Sequence, residues 1–434
     1  MKDLKADLVF LGLLFTAFTL PFELMLNNIA IILALLPALY GLLTDKLFRQ
    51  RLWGHLKQNK IALVMMAFAL FYAVSAAIHW RQYHDINALL KHLEMRLPFL
   101  LLPIPLALVP EFNRQQIKRL WQALLAGILL SALLLLLGAS WVSITTGSLY
   151  NLHPRYGMPE HNFMYHRLGS YLGLHAVYYS AMVLLAFVLT MVFIRFRFYL
   201  AAPGARFLMV MTLVFWLLML FLLKSATILL ALIFIVVSYG MYLLYQHRSK
   251  MVPWQRWTFS LVIVALVGIM GERVIEKVGN RGSIFKYDFL QPGGGDWNVF
   301  NLRKAKWDVA TEVIADHWLW GTGPARAQQV LDDYYARHLF INALQHHYNA
   351  HNQFLQTFLT LGLPGFLLLL YLYGASFYRA VKRTDLVWFL FILGFTLFSI
   401  SESTLEVNKG IVLFTFVTLL CSFLPDKVAA YFNG

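Results

Sequence analysis

The sequence predicts an all-α membrane protein of about twelve transmembrane helices, with one large, partly helical loop between helices nine and ten. Three observations predict it. Hydrophobic residues make up 60% of the 434-residue chain and charged residues only 13%, with a mean hydropathy of +0.64. That balance belongs to polytopic membrane proteins rather than to soluble domains. The apolar residues are gathered into runs near the ~20 residues that a membrane-crossing helix needs. The basic residues are distributed unevenly between alternate connections, as the positive-inside rule requires.

In chain order the runs are 7–25, 27–44, 61–79, 97–110, 119–139, 170–194, 206–223, 225–245, 257–272, 353–378, 386–400 and 409–424. The first follows Lys2 and Lys5 as a signal peptide would. No small-residue cleavage site comes after it, and Pro21 leads into the next run, so it reads as a retained helix. The fourth is short and carries Pro98, Pro103, Pro105 and Pro110, which predicts a kink or tilt. The seventh and eighth meet at Lys224-Ser225 with almost no loop. The single cysteine, Cys421, falls in the last run and has no partner for an intrachain disulfide. The resulting division is 1–272 for helices one to nine, 273–352 for the loop region, and 353–434 for helices ten to twelve with a short tail.

Alternate short connections, with the two ends, hold 20 of the 36 Lys and Arg residues, and the opposite connections apart from 273–352 hold seven. This predicts that both termini are cytoplasmic. It also accounts for most of the net charge of +15 without a nucleic-acid partner. Two long connections, 140–169 and 273–352, fall on the outer side. In the second, 301–318 predicts a helix with Trp307, Ala310, Val313 and Ile314 on one face. The GTGPA turn, 321–325, ends it, and a second helix runs to about residue 338. QPGGGDW (291–297) has the glycine density of a flexible loop, either a lid or a spacer. GTGP is too short for a phosphate cradle and reads as a helix-ending turn, with a binding element as the alternative.

The residues that carry chemistry concentrate where this loop meets helix ten, in HHYNAHNQFLQTFLTLGLPGF, 346–366. His351 at the mouth of an apolar helix is either an interfacial histidine or a general base, since imidazole titrates near neutrality. A helix start favours the neutral imidazole that a base requires. Asn352 has the chemistry of a helix N-cap, and Gly362 and Gly365 predict close helix packing. His347 and His351 stand four apart, a spacing metal ligands also use, but no third ligand of recognised spacing accompanies them and no metal or other cofactor is expected. Arg155, Arg167, Arg281 and Arg303 are candidates for binding phosphate, because guanidinium contacts phosphate oxygens in pairs; the alternative for each is a headgroup contact or surface charge. Glu402 and Glu406 either orient a histidine or arginine or sit on a solvated loop.

The pattern His351-Asn352, nine residues, then Gly362-Leu363-Pro364-Gly365 resembles the motif of the bacterial O-antigen ligase family. The resemblance extends to the twelve-span plan with its large loop just before the motif. It extends more weakly to Arg303 with Trp307, to GTGP and to LHAVYYS at 174–180. Family members often carry a Ser-Arg pair entering the eighth span; here Lys224-Ser225-Ala226 stands there, leaving Lys224 as a point charge in place of a fork. The resemblance implies a glycosyltransferase of the bacterial inner membrane with its active face in the periplasm. It would ligate O-antigen polysaccharide from undecaprenyl diphosphate onto lipid A–core oligosaccharide in lipopolysaccharide biosynthesis. His351 would be the base, the reaction metal-independent and inverting, and His347, Asn352, Lys224 and the arginines substrate-binding. An O-antigen polymerase or a protein O-oligosaccharyltransferase shares the wider domain. A transporter of lipid-linked sugars is the alternative from another class, although such proteins favour ionisable groups near mid-membrane.

Overall fold

The computed structural model describes residues 4–82, 86–152, 159–195, 204–247 and 299–424. The first part of the chain forms α1 (Leu4–Thr19), α2 (Leu24–Thr44), α3 (Lys46–Gln58), α4 (Lys60–Ile78), α5 (Ile86–Leu101), α6 (Pro103–Leu106) and α7 (Arg114–Thr146). A hairpin of β1 (Tyr150–Leu152) and β2 (Pro159–His161) follows, and then α8 (Tyr165–Ser170), α9 (Ala176–Arg195), α10 (Ala205–Leu223) and α11 (Ala226–His247). The last part forms α12 (Val299–His317), α13 (Ala327–Arg337), α14 (Ile341–Gln345), α15 (Gln353–Lys382), α16 (Leu386–Ser401) and α17 (Asn408–Phe423).

Helices stand at eleven of the twelve expected runs, and the ninth, 257–272, lies outside the described residues. Among the described residues, eight helical stretches are long and apolar enough to cross a membrane. Helix ends follow local chemistry. Asp45 accepts from the amides of Leu47 and Phe48 to start α3, and Asn113 and Gln116 form a reciprocal capping box at α7. The prolines of the fourth run do more than kink it: the helix begins at Ile86, ends after Leu101 and restarts as the short α6. The loop 140–169 is helical to Thr146 before the hairpin.

Helices α9 and α17 are buried along nearly their whole length, α16 over ten of its sixteen residues, and the three form the centre of the bundle. Around them, α10 turns Phe207, Val214 and Phe221 outward, a seven-residue spacing that keeps one face toward lipid. At sixteen residues each, α16 and α17 rise only ~24 Å, short of the ~30 Å hydrocarbon core. The segment joining them is irregular, with a 3₁₀ turn at Thr404–Glu406, and Ser403, Thr404 and Leu405 are buried. Irregular backbone at this depth is viable only against protein. Here the amide of Leu405 donates to Gln353 Oε1 (2.6 Å), and Tyr178 Oη donates to the carbonyl of Ser403 (3.2 Å).

Helices α12, α13 and α14 pack around a separate core of Ala305, Val309, Ala310, Val313, Leu331, Tyr335 and Phe340. Two of them match the helices expected in the large loop; α14 is an addition. Trp307 departs from the expected apolar face and is half-buried, its indole Nε1 donating to the carbonyl of His351 (3.3 Å).

Helix α15 corrects the reading of its glycines as a packing site within a continuous helix. It breaks at Gly362, which has φ 66° and ψ −165°, a region essentially open only to glycine. Pro364 has no N–H, and the bond it cannot make to the carbonyl of Thr360 is supplied by the amide of Gly323 (2.9 Å). The carbonyl of Leu359 accepts from the amide of Thr322 (2.8 Å), and the amide of Leu363 donates to the carbonyl of Trp318 (2.9 Å). GTGP is therefore neither a free turn nor a ligand cradle: it closes a broken helix. His79, at the end of α4, fixes the same turn from the other side, with Nε2 3.1 Å from the carbonyl of Gly321.

Candidate functional site

Three segments distant in sequence meet at the start of α15. Asn352 caps the helix, its Oδ1 accepting from Phe354 N (2.9 Å) and Leu355 N (3.2 Å); its side chain is used by the fold. His351, one residue earlier, has φ 44°, left-handed backbone that a non-glycine residue adopts only when held there. It is held from three directions. Its amide donates to Asn349 Oδ1 (2.9 Å), its carbonyl accepts from Trp307, and its ring Nδ1 lies 2.9 Å from Glu402 Oε2. The ring of Tyr348 meets the imidazole edge-on. Asn349 in turn accepts from Ser403 Oγ (3.2 Å), so the segment carrying Glu402 is tied to the one carrying His351.

Glu402 is shared. Its Oε1 accepts from an Nη of Arg303 (2.9 Å) while Oε2 faces His351. Burial tends to raise the Glu402 carboxyl, but the His351 hydrogen bond and the Arg303 cation outweigh it and hold the group below the ordinary carboxylate value. Burial lowers the His351 imidazole from its ordinary 6.5; the Glu402 hydrogen bond opposes this, and the charges of Lys306 and Arg303 add to it. A carboxylate only accepts, so Nδ1 carries the proton of the neutral ring and Nε2 keeps a free lone pair. The arrangement is an imidazole oriented by a carboxylate, with a guanidinium alongside.

Two further groups were not singled out in the sequence. Lys306, one turn after Arg303 on α12, is 3% exposed and stands 4.5 Å over the ring of Tyr348. Burial brings its ammonium down to about 7, Glu402 opposing the fall and Arg303 adding to it. Its place at i+3 from Arg303 was the signal that could have found it. The second is Arg96, buried on α5, which pairs with Glu406 at the end of the 3₁₀ turn; Tyr72 donates to the same carboxylate (3.4 Å). Glu406 also lines a cavity of about 430 Å³ together with Met95, His175, Tyr178 and Lys409. Both glutamates thus orient cationic groups, and neither is on a solvated loop.

The remaining expected residues lie apart. His347 is 69% exposed and hydrogen-bonds Asp332 (2.7 Å), so it and His351 serve different carboxylates. Among the described residues no group of three or more His, Cys, Asp or Glu is placed to hold a metal ion. Arg167 is buried on α8 with its guanidinium 5.1 Å over Tyr171, and none of its contacts reaches His351 or Glu402. Lys224 is exposed at the α10–α11 joint with φ 46°, three residues before Thr227, which accepts from Ser401 (2.7 Å). Arg155 and Arg281 fall outside the described residues, as does QPGGGDW.

The sequence model of the O-antigen ligase family matches residues 210–370, from α10 into α15. The match takes in Arg303, Lys306, His351 and the Gly362–Gly365 element, and leaves out Glu402. The family resemblance noted from the motif is thereby shown on a segment that includes the motif itself. No curated protein matches the chain.

Proposed function

We propose that this multi-pass membrane protein, whose residues 210–370 match the O-antigen ligase family, transfers O-antigen polysaccharide from undecaprenyl diphosphate to lipid A–core oligosaccharide. On this reading the His351 side of the bundle faces the periplasm and the protein resides in the inner membrane. The observation that carries the reaction is Glu402 bridging the His351 ring and Arg303 at the mouth of α15.

The acceptor hydroxyl approaches Nε2 of His351, which takes its proton as the hydroxyl oxygen bonds the anomeric carbon of the donor. The bond from that carbon to the phosphate oxygen breaks, and its electron pair leaves with undecaprenyl diphosphate. Attack opposite the leaving group inverts the anomeric centre. Glu402 fixes the ring tautomer and stabilises the imidazolium that forms. Arg303, held by the same carboxylate, presents charge where the diphosphate departs. Arg167 and Lys224, and Arg155 and Arg281 outside the described residues, are proposed as further contacts to the long substrates.

The family match serves O-antigen polymerases as well as ligases, and the second reading is a polymerase with the same base and a growing glycan as acceptor. The test is transfer by purified protein from undecaprenyl-diphosphate-linked glycan, with lipid A–core or a second lipid-linked glycan as acceptor. Product on lipid A–core supports the ligase; elongation of the lipid-linked glycan alone overturns it in favour of the polymerase. In cells, deletion of a ligase removes long lipopolysaccharide bands and leaves polymer on the lipid carrier.

A further inference from the structure

The two other lysines that can be compared with Lys306 are each satisfied by the protein. Lys304, two positions earlier, pairs with Asp308 on the exposed side of α12. Lys409, partly buried, donates to the carbonyls of Leu20 and Phe22. Lys306 is more buried than either, and among the described residues its ammonium meets only the face of the Tyr348 ring. The nearby acid that acts on it, Glu402, has its two oxygens engaged by Arg303 and His351. Burying an amine without an anion is unfavourable and makes it a poorer base, which agrees with the fall of Lys306 to about 7. The fold does not need this charge: Met or Leu would fill the position beside Tyr348 with no desolvation penalty.

We propose that Lys306 is a phosphate-binding residue, an ammonium whose counter-ion is an anionic oxygen of the lipid-linked diphosphate rather than any group of the protein. The proposal rests on the donor assigned above. Arg303 and Lys306 lie one turn apart on one face of α12, so the two cations address neighbouring oxygens of one diphosphate, the guanidinium from beside Glu402 and the ammonium from beside Tyr348. Binding of the anion restores the full charge of Lys306. The same charge acts on His351: Lys306 depresses the imidazole, and a diphosphate that neutralises it makes His351 a stronger base once the donor is in place.

The experiment uses the detergent-solubilised full chain, with inorganic diphosphate and undecaprenyl diphosphate as separate probes. Calorimetry gives affinity and thermal unfolding gives stability, for the parent, Lys306→Met and Lys306→Arg. The expected result is that Lys306→Met weakens binding of both probes by roughly tenfold or more while its unliganded melting temperature equals or exceeds that of the parent. Lys306→Arg retains most of the binding. A purely structural lysine predicts the reverse, with lower stability and intact affinity. Unchanged affinity in Lys306→Met, with the parent binding normally, overturns this proposal alone. A parent that binds neither probe removes the donor reading and the proposal with it. If Lys306→Met does not fold, Lys306→Gln is measured in its place; failure of both to fold assigns Lys306 to the fold and overturns the proposal.

Discussion

The left-handed backbone at His351 is of the kind that costs about 1–3 kcal/mol, and it persists because Asn349, Trp307 and Glu402 determine the residue from all sides. Replacing His351 by Ala should abolish transfer while leaving insertion and the gel-filtration profile unchanged; a purified variant with near-normal turnover would remove the base assignment. Glu402→Gln tests orientation separately. It should lower transfer by ~10²- to 10⁴-fold. It should also move the acid limb of the pH–rate profile, and the sign follows from the charges. The carboxylate favours the imidazolium and so raises His351, so its removal drives the imidazole further below 6.5 and carries the limb to lower pH. An unmoved limb would show that Glu402 does not act on the ring. The position of His351 at the head of an apolar helix was legible in the sequence, because the motif marks that boundary. Glu402 was not assignable, because its partner lies 51 positions away and a carboxylate after a membrane span has the same local sequence whether solvated or paired. Lys306 was hidden among the nine basic residues of 273–352, since sequence records its charge but not its burial.

Among the elements, α15 shows where helical periodicity misleads. Its apolar pattern continues through 362, and nothing in that pattern distinguishes a straight helix from two halves joined by a glycine of positive φ. The clue was Gly362 two residues before Pro364, which locates the freed carbonyls but not the turn that takes their bonds. A Cβ at Gly362 would lie 2.3 Å from the carbonyl oxygen of Leu319 and 2.6 Å from the amide nitrogen of Gly321, all backbone with nowhere to move. Gly362→Ala should therefore destabilise the protein by more than the ~1–3 kcal/mol of backbone strain alone, read as a lowered melting temperature and loss of transfer. An alanine variant that melts with the parent would mean that the turn is not seated against the helix. The caps, by contrast, were legible: Asn352 accepts from two amides of the first turn, as its residue type predicts.

Across the whole molecule, hydropathy located the helices and could not arrange them. The windows of α9 and α10 have mean hydropathies of 2.3 and 2.4, yet 83% of the first is buried in the protein and 22% of the second. Lipid is as apolar as a protein core, so a residue facing either is selected alike. Which connections share an end is better encoded. Polar contacts between connections sort into two sets: Arg51 with Glu111, and Arg379 with Asn59, at one end, and His79 with Gly321, and Arg303 with Glu402, at the other. These are the groups that the distribution of basic residues separates. With Cys421 buried, single cysteines can be introduced without removing it. His346→Cys should react with a membrane-impermeant maleimide in spheroplasts, and Lys57→Cys only after lysis; the opposite pattern would invert the proposed orientation. Transfer should also persist after exhaustive chelation with EDTA. Loss of turnover restored by one particular divalent ion would redirect the search for the base away from His351.

The break in α15 has a consequence for how the protein is made. The amides that complete the helix at Leu359 and Thr360 belong to residues 322 and 323, which leave the ribosome well before the helix does. Until that earlier turn is in place, the nascent helix would enter the bilayer with bare carbonyls, which hydrocarbon does not tolerate. On the proposed topology, biogenesis of α15 thus depends on prior folding of the 321–324 turn, and the amides of Thr322, Gly323 and Leu363 should exchange with deuterium together, as one cooperative unit.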